Sequence, residues 1–319
     1  MGSYQNKIMK IAFFTEAGSK RGMGHLIRCQ TIANEFEQNN IETNIFLDSD
    51  INYDYKFKNL TYFKWEELNI NIHYDVIFID SYEATEDIYN NLQKKTNLVI
   101  YIDDFERIDY PKGIIINFAP DSKELFFKNR NKDSEYLLGL DYIPIRKEFL
   151  KYKNLKKEKK LFIMLGGSDT ANLSLNIIEA LKDIDIKKVI VSNNEITSNK
   201  LSKYDNVKVL FQSNDDELIK EMATSSYAIS TASMSLYELS FLQIPTIIIA
   251  VSQNQITGVS QMLKNKLAIS YVDTMRLNWE KNISFQLKNL MEYKQIVDNQ
   301  IDGLGVKRIY EYIIKRLER

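Results

Sequence analysis

Met9-Lys10-Ile11-Ala12-Phe13-Phe14, then a turn spanning Glu16 to Gly24, then His25-Leu26-Ile27-Arg28-Cys29-Gln30-Thr31-Ile32-Ala33-Asn34-Glu35-Phe36 decide the fold. The first run reads as a short buried strand, and the last carries apolar residues at helical spacing. The turn between them holds Gly22-Met23-Gly24. Glycines there let backbone approach a ligand closely, and the helix start presents free N–H groups to an anion. His25 falls in the first turn of that helix, where the positive end of the dipole disfavours imidazolium. A neutral ring able to accept a proton is therefore expected, a candidate general base. The plain alternative is a turn that uses glycine for packing alone. Histidine is scarce, with only His25 and His73, and this favours chemistry at His25. His73, ahead of a strand, reads as a surface or loop residue.

The same alternation runs outward along the chain. Strands are expected near 10–15, 42–47, 75–80, 97–103 and 113–118, with helices at 26–38 and 85–94. A second series starts at Lys160, with strands near 161–165, 188–191, 207–211, 227–230, 246–250 and 268–271. Its helices are expected at 173–182, 215–223, 235–242 and 256–264. Alternating strands and helices imply parallel sheets covered on both faces. The fold class is α/β, with two tandem Rossmann-like doubly wound domains facing across a cleft. The expected domains are 1–150, carrying the histidine, and 151–319, binding a nucleotide. The charged stretch 151–160 reads as a solvated linker between them. The final segment, 283–319, reads as two helices, because Gly303 and Gly305 interrupt it.

Composition narrows the function classes. The chain has 319 residues, 44% hydrophobic, with a formal net charge of −1, the profile of an ordinary globular protein. No basic excess points to nucleic acid. The one cysteine, Cys29, excludes a disulfide framework and a cysteine-based zinc site, and by spacing it is a small buried hydrophobe. No apolar run approaches membrane-spanning length, and the polar start lacks a signal-peptide core. A cytoplasmic location without stable membrane association is expected.

Several strand-to-helix junctions carry polar side chains suited to a phosphorylated ligand. Gly166-Gly167-Ser168-Asp169-Thr170 follows the strand Phe162-Ile163-Met164-Leu165. Its N–H groups and hydroxyls suit phosphate, or else Gly166-Gly167 only turns the chain while Asp169 or Thr170 caps the helix. Ser230-Thr231-Ala232-Ser233-Met234-Ser235 leads into a helix bearing Glu238, whose carboxylate suits two ribose hydroxyls. The alternative makes Ser233 an N-cap and Glu238 a surface residue. Ser252-Gln253-Asn254-Gln255 offers uncharged amides, or an ordinary polar loop. In the first domain Asp80-Ser81-Tyr82 ends a strand, and the Tyr82 hydroxyl is placed to hold a water near His25, unless the ring merely packs. Asp103-Asp104 orients a partner or starts a turn. Asp48-Ser49-Asp50 matches a loose metal-binding D-x-D pattern in a polar loop, a match that chance supplies readily. No metal or other cofactor is expected.

Taken in order, these loops resemble the UDP-2,4-diacetamido-2,4,6-trideoxy-β-L-altropyranose hydrolases of pseudaminic acid biosynthesis. That family is related to the peptidoglycan N-acetylglucosaminyltransferase and has the glycosyltransferase-B architecture. Gly22-Met23-Gly24-His25 with Arg28 matches a G-x-G-H-x-x-R element, and Asp80-Ser81-Tyr82 matches an aspartate-x-tyrosine element. Tyr142, Ile145, Arg146 and Phe149 resemble the segment before the linker. Gly166-Gly167-Ser168-Asp169 with Asn172-Leu173 matches a G-G-[ST]-D…N-L loop. Ala232-Ser233 with Glu238, Asn254-Gln255, and Asp302-Gly303-Leu304-Gly305 with Arg308-Ile309 follow in family order.

The resemblance implies a metal-independent hydrolase of a UDP-linked diacetamido-trideoxyhexose. His25 would activate water and Tyr82 would help hold it. The substrate-binding set it implies is Gly22, Gly24, Arg28, Asp80, Gly166, Gly167, Ser168, Asp169, Ser233, Glu238, Asn254 and Gln255. Where the family has Arg-x-Asp near the end of the first strand, this chain has Phe14-Thr15-Glu16, which implies a changed hold on the sugar. The competing readings are an inverting transferase of the same fold, a hydrolase of another nucleotide-sugar, and a silent binding protein.

Overall fold

The computed structural model describes residues 9–54, 57, 60–68, 73–125, 133–166, 169, 173–253, 255–293 and 301–318. Two compact units divide the chain: residues 1–144 with 304–319, and residues 145–303.

The first unit is built on strands β1 (Lys10–Ala17), β2 (Glu42–Ser49), β3 (Leu60–Phe63) and β4 (Tyr74–Asp80). It continues with β5 (Thr96–Ile102), β6 (Ile114–Asn117) and β7 (Glu135–Leu138). They form one seven-stranded sheet in the order β3-β2-β1-β4-β5-β6-β7, parallel throughout. Helices α1 (Gly24–Gln38), α2 (Glu86–Gln93) and α3 (Ser122–Leu125) lie in the connections. All of β1 after Lys10 is buried, as a central parallel strand covered on both faces requires. Phe13 registers with Phe78 of β4, and their rings stack at 4.4 Å. Phe36 of α1 closes on Phe78 edge-to-face at 5.9 Å, fixing the helix over the strand pair.

The second unit opens with α4 (Glu148–Tyr152) and β8 (Glu158–Met164), followed by α5 (Ser174–Ala180) and β9 (Lys187–Val191). Next come α6 (Glu195–Leu201), β10 (Val207–Leu210), α7 (Asp215–Ala223) and β11 (Ser225–Thr231). It ends with α8 (Met234–Phe241), β12 (Thr246–Ala250), α9 (Gln255–Lys264), β13 (Ser270–Asp273) and α10 (Trp279–Glu292). The sheet order is β10-β9-β8-β11-β12-β13, again parallel. Its core joins Leu161, Ile163, Ile229 and Ile247 of the strands to Ile177 of α5 and Ile283 and Leu287 of α10.

Both sheets reverse their direction of growth once, between β1 and β4 and between β8 and β11. At such a switch point the loops leaving two neighbouring strands part in opposite directions and open a crevice at the carboxyl ends. That constraint places Gly22–Gly24 and Asp80–Tyr82 side by side in the first unit. In the second it places the loop after β8 beside the loop after β11.

Every expected strand is present, with ends shifted by a few residues. The strands β3 and β7 were not anticipated. Each has four residues at a sheet edge, and the β3 residues Leu60, Thr61, Tyr62 and Phe63 are only half-buried or exposed, so no apolar run marks them. Helix α6 was also missed. It is a short polar helix whose start is held by Asn194 Oδ1, which accepts from Thr197 N at 2.9 Å.

The expected linker is not a free tether. Lys157 Nζ donates to Ala223 O (2.7 Å) and Leu242 O (3.2 Å), so one ammonium serves the C-terminal ends of both α7 and α8. Burial pushes that lysine down to about 8. Phe149 is fully buried, and Lys153 Nζ stands 4.6 Å from the centre of the Phe241 ring. The boundary therefore falls at 144/145 rather than 150/151, because these charged residues are anchored on the second unit.

The last helix also changes sides relative to the sequence expectation. Helix α11 (Gly305–Leu317) belongs to the first unit, not the second. Val306, Ile309 and Ile313 form one buried face, and Tyr310 meets Phe36 of α1 at 5.3 Å. A Cβ on Gly305 would lie 2.3 Å from Ile143 O, so only glycine permits this approach. Tyr312 OH and Arg316 Nε each donate at 2.6 Å to the Glu135 carboxylate.

Ile309 is fully buried, so Ile309→Ala is expected to cost about 2–5 kcal/mol in chemical denaturation. Hydrogen exchange should show the lost protection in α1 of the first unit. Loss confined to 145–303 would contradict this placement of α11.

Candidate active site

The loop leaving β1 closes on itself before α1 begins. Gly18 and Gly22 exchange backbone hydrogen bonds at 3.0 and 2.8 Å, and Gly22 takes φ +69°, a left-handed conformation that glycine adopts without strain. Gly24 starts the helix, and a Cβ built on it would meet nothing within 4 Å. Packing does not require glycine there, contrary to the plain reading of this turn. Met23 gives α1 no side-chain cap, and its first turn carries no acidic residue. No side chain at Met23 offsets the positive end of this helix.

One turn into the helix, His25 and Arg28 meet the end of β4. His25 Nδ1 lies 2.6 Å from Asp80 Oδ1. Arg28 grips the same carboxylate in fork geometry, Nε to Oδ2 at 2.5 Å and Nη2 to Oδ1 at 2.6 Å. Its other side reaches Asp104, with Nη1 donating to Oδ1 at 2.8 Å and Nη2 to Oδ2 at 3.1 Å. Burial alone would raise the Asp80 pKa, but the Arg28 and then the His25 charge outweigh it and hold Asp80 far below the usual carboxylate range. The Asp104 carboxyl is lowered against the same burial penalty, chiefly by Arg28. An ionised Asp80 cannot donate, so Nδ1 carries the hydrogen of their contact, and Nε2 is the ring nitrogen that this contact leaves unused. Arg28 Nη2 approaches Nδ1 to 3.0 Å because both converge on the one oxygen.

Tyr82 completes the group. Its ring stands edge-on to His25 with centroids 4.4 Å apart, and its hydroxyl donates to Asp104 Oδ2. Burial and the neighbouring Asp104 charge push the phenol well above its usual range, so it keeps its proton. Glu16 fixes the strand end that carries Tyr82. Its carboxylate accepts from the Tyr82 backbone N at 2.9 Å, from Ser81 Oγ and from Trp65 Nε1 at 3.2 Å. Glu16 is nearly fully buried, and where the family pattern has an acid and an arginine near this strand end, this chain uses a carboxylate to hold the tyrosine turn.

Asp80 and Arg28, which the resemblance implies bind substrate, are engaged with each other and with His25 and Asp104. Both Asp80 oxygens are taken up by His25 and Arg28, with Cys29 Sγ also donating to Oδ2 at 3.6 Å, and Asp80 has no exposed surface. Asp104, left open between orienting a partner and starting a turn, is the shared partner of Arg28 and Tyr82. The Asp48-Ser49-Asp50 acids are engaged separately. Asp48 Oδ1 accepts from Arg21 (3.1 Å) and Lys64 (2.9 Å), while Asp50 Oδ1 accepts from Ser19 N at 2.9 Å. His73 is exposed as expected, 3.2 Å from Asn97 Oδ1.

In the second unit, Gly166 takes φ +83°, and a Cβ there would stand 3.7 Å from Thr231 Oγ1, so the loops after β8 and β11 adjoin. Asp169 is a helix cap. Its carboxylate accepts from Leu173 N and Ser174 N, both at 3.0 Å, at the start of α5. Gly167, Ser168, Thr170, Asn172 and Asn254 lie outside the described residues. Ser233 precedes α8 without capping it through its side chain; its hydroxyl is 2.8 Å from Ser235 Oγ. Glu238 is buried rather than on the surface, and its Oε1 accepts from Arg146 Nε at 2.8 Å, a cation that sequence reading did not pair with it. Gln255 Oε1 accepts from Val251 N at 2.9 Å and closes the turn ahead of α9, so that oxygen serves the chain itself.

No family model matches the chain. A bifunctional protein of Helicobacter pylori, "Pseudaminic acid cytidylyltransferase and UDP-2,4-diacetamido-2,4,6-trideoxy-beta-L-altropyranose hydrolase", is 26% identical over 88% of this chain and 54% of its own length. The UDP-2,4-diacetamido-2,4,6-trideoxy-beta-L-altropyranose hydrolase of Campylobacter jejuni is 24% identical over 82% of this chain and 99% of its own. An uncharacterised protein of Methanocaldococcus jannaschii is 26% identical over 84% of this chain and 61% of its own. The chain thus spans little more than half the length of the Helicobacter and Methanocaldococcus relatives. Among solved structures, the Methanocaldococcus jannaschii UDP-GlcNAc 2-epimerase matches with a TM-score of 0.64 at 13% identity, over 96% of this chain and all of its own. Acinetobacter baumannii MurG matches with a TM-score of 0.62 at 10% identity, over 96% and 99%. The fold is the two-sheet α/β type of these structures, and in sequence the chain is similar to the named hydrolases.

The buried ion cluster sets an acid limit on stability. Asp80 and Asp104 titrate lower in the folded state than in the unfolded chain, whose carboxyls titrate near about 3.9. Their contribution is complete above that range and is lost as pH falls through it, so stability should drop progressively below about pH 5. Arg28→Met leaves both carboxylates without their cation and is expected to cost about 3–5 kcal/mol at neutral pH, read by urea denaturation. An unchanged midpoint would show that the cluster does not hold the unit together.

Proposed function

We propose that the chain is a nucleotide-sugar hydrolase that releases UDP from a UDP-linked 2,4-diacetamido-2,4,6-trideoxyhexose. The observation that carries this is the Asp80–His25 pair at the switch point of the first sheet, with Tyr82 against the ring. Similarity to the Helicobacter and Campylobacter hydrolases supplies the substrate class.

In this reading His25 is the general base. Asp80 holds the ring by Nδ1 and leaves Nε2 to accept a proton. The water oxygen forms a bond to the anomeric carbon as its proton passes to Nε2. The bond from that carbon to the phosphate oxygen breaks, and its electron pair departs with UDP. Attack from the face opposite the leaving group inverts the anomeric centre. The bare start of α1 beside Gly22 and Gly24 offers N–H donors to the anionic part of the substrate. The nucleotide is assigned to the second unit. Gly166 and the start of α8 behind Ser233 would serve the diphosphate, and the Glu238 oxygen not taken by Arg146 would serve the ribose.

The test is NMR of the full chain with UDP-linked diacetamido-trideoxyhexoses. UDP and the inverted free sugar are the expected products, and His25→Ala is expected to lose about 10²–10⁴ in kcat with the fold intact. Product release only after an acceptor alcohol is supplied would reassign the chain as a transferase, and binding without turnover as a binding protein.

Gly24→Val probes the open helix start separately. A Cβ at this position meets no protein atom within 4 Å, so the thermal midpoint should hold while KM rises on the order of ten- to a hundredfold, the loss of one charge-assisted backbone contact. A lowered midpoint with unchanged KM would return Gly24 to a packing role.

A further inference from the structure

We propose that Asp104 is a positioning residue that makes the Tyr82 hydroxyl a pure acceptor, so that the site at His25 takes a nucleophile with two hydrogens, water, in preference to an alcohol with one. The inference rests on the hydrolase reading and adds to it the reason why water is chosen.

Both oxygens of Asp104 face the Arg28 guanidinium, at 2.8 Å from Nη1 for Oδ1 and 3.1 Å from Nη2 for Oδ2. Oδ2 also receives the Tyr82 hydroxyl. A carboxylate clamped by an arginine has no hydrogen to give, so the Tyr82 proton points at Asp104 and its oxygen lone pairs point elsewhere. The opposite end of the same guanidinium holds Asp80, which takes the Nδ1 hydrogen of His25 and leaves Nε2 as an acceptor. One arginine therefore sets the polarity of both aromatic side chains, whose rings meet edge-on at 4.4 Å.

Two side chains that each present an acceptor to the site suit water. It donates one hydrogen to Nε2 and the other to the phenol oxygen, and its lone pairs are left for the anomeric carbon. In the reaction the first hydrogen passes to Nε2, the second stays on the new sugar hydroxyl, and the carbon–phosphate oxygen bond breaks toward UDP. An alcohol satisfies Nε2 alone. Its alkyl group then falls where Tyr82 expects a hydrogen, and one acceptor is left unpaired.

The experiment is a partition measurement on the full chain. UDP-linked diacetamido-trideoxyhexose is turned over in buffer containing a fixed concentration of methanol, and mass spectrometry reads the ratio of methyl glycoside to free sugar. Wild type is expected to give free sugar almost alone. In D104N the new amide can donate to the Tyr82 oxygen and release its proton into the site, and the methyl glycoside fraction should rise on the order of tenfold or more. Tyr82→Phe removes the acceptor, leaves the Asp104–Arg28 pair in place, and should shift the ratio the same way, which keeps the test alive if D104N does not fold. The ratio does not depend on how much enzyme is active, so general destabilisation does not move it. An unchanged ratio in a folded variant overturns the role of Asp104 while hydrolysis stands. Failure of wild type to release UDP from any such substrate overturns the hydrolase reading, and this inference with it.

Discussion

A guanidinium clamped between two carboxylates is the constraint on which the first unit's carboxyl edge depends. Arg28 joins α1 to the ends of β4 and β5 by bidentate contacts with Asp80 and Asp104. Taking the Arg28 and Asp80 charges out of water is costly, and their attraction repays that cost only when the geometry is close and the hydrogen bonds are made. Both conditions are met at Asp80, whose oxygens also receive His25 and Cys29, while Asp104 receives Tyr82 beside Arg28. The stabilising cluster and the candidate catalytic groups are thus the same network, and the ring orientations follow from the charge arrangement.

The sheets explain why the network lies where it does. Two parallel sheets each switch direction once, and each switch brings two strand ends together at the carboxyl edge. In the first unit those ends carry the glycine turn and Asp80 with Tyr82. In the second they carry Gly166 and the hydroxyls from Thr231 to Ser235. The first edge is rich in fixed charge and suits proton transfer. Among the described residues the second carries hydroxyls and backbone groups together with the Asp169 carboxylate and the buried Arg146–Glu238 pair.

Much of this was legible before any coordinates. The strands β1, β4, β8 and β11 each hold a short apolar stretch, at 11–14, 76–79, 161–164 and 227–229, and glycine, acidic or hydroxyl residues follow it, so the switch-point loops could be picked out. His25 and Tyr82 were readable for the same reason. Less legible were the edge strands β3 and β7, which at four residues each are too short for a period to show. The partners of Asp169 and Gln255 were also open, because a carboxylate or amide at a helix start reads equally well as a cap or a ligand contact.

The sequence by itself determined the alternation of strand and helix, the parallel two-sheet class and the loops that carry polar chemistry. Those properties are local, written in periodicity and in the residues that interrupt it. Tertiary structure alone decided that Arg28 lies between Asp80 and Asp104, 52 and 76 residues away, and that Glu16 holds Ser81 from 65 residues away. It also decided that α11 returns to the first unit, where Gly305 passes Ile143 and Tyr310 meets Phe36. Such pairings depend on which strand ends and helix faces the sheet order brings together, and no local pattern encodes that order.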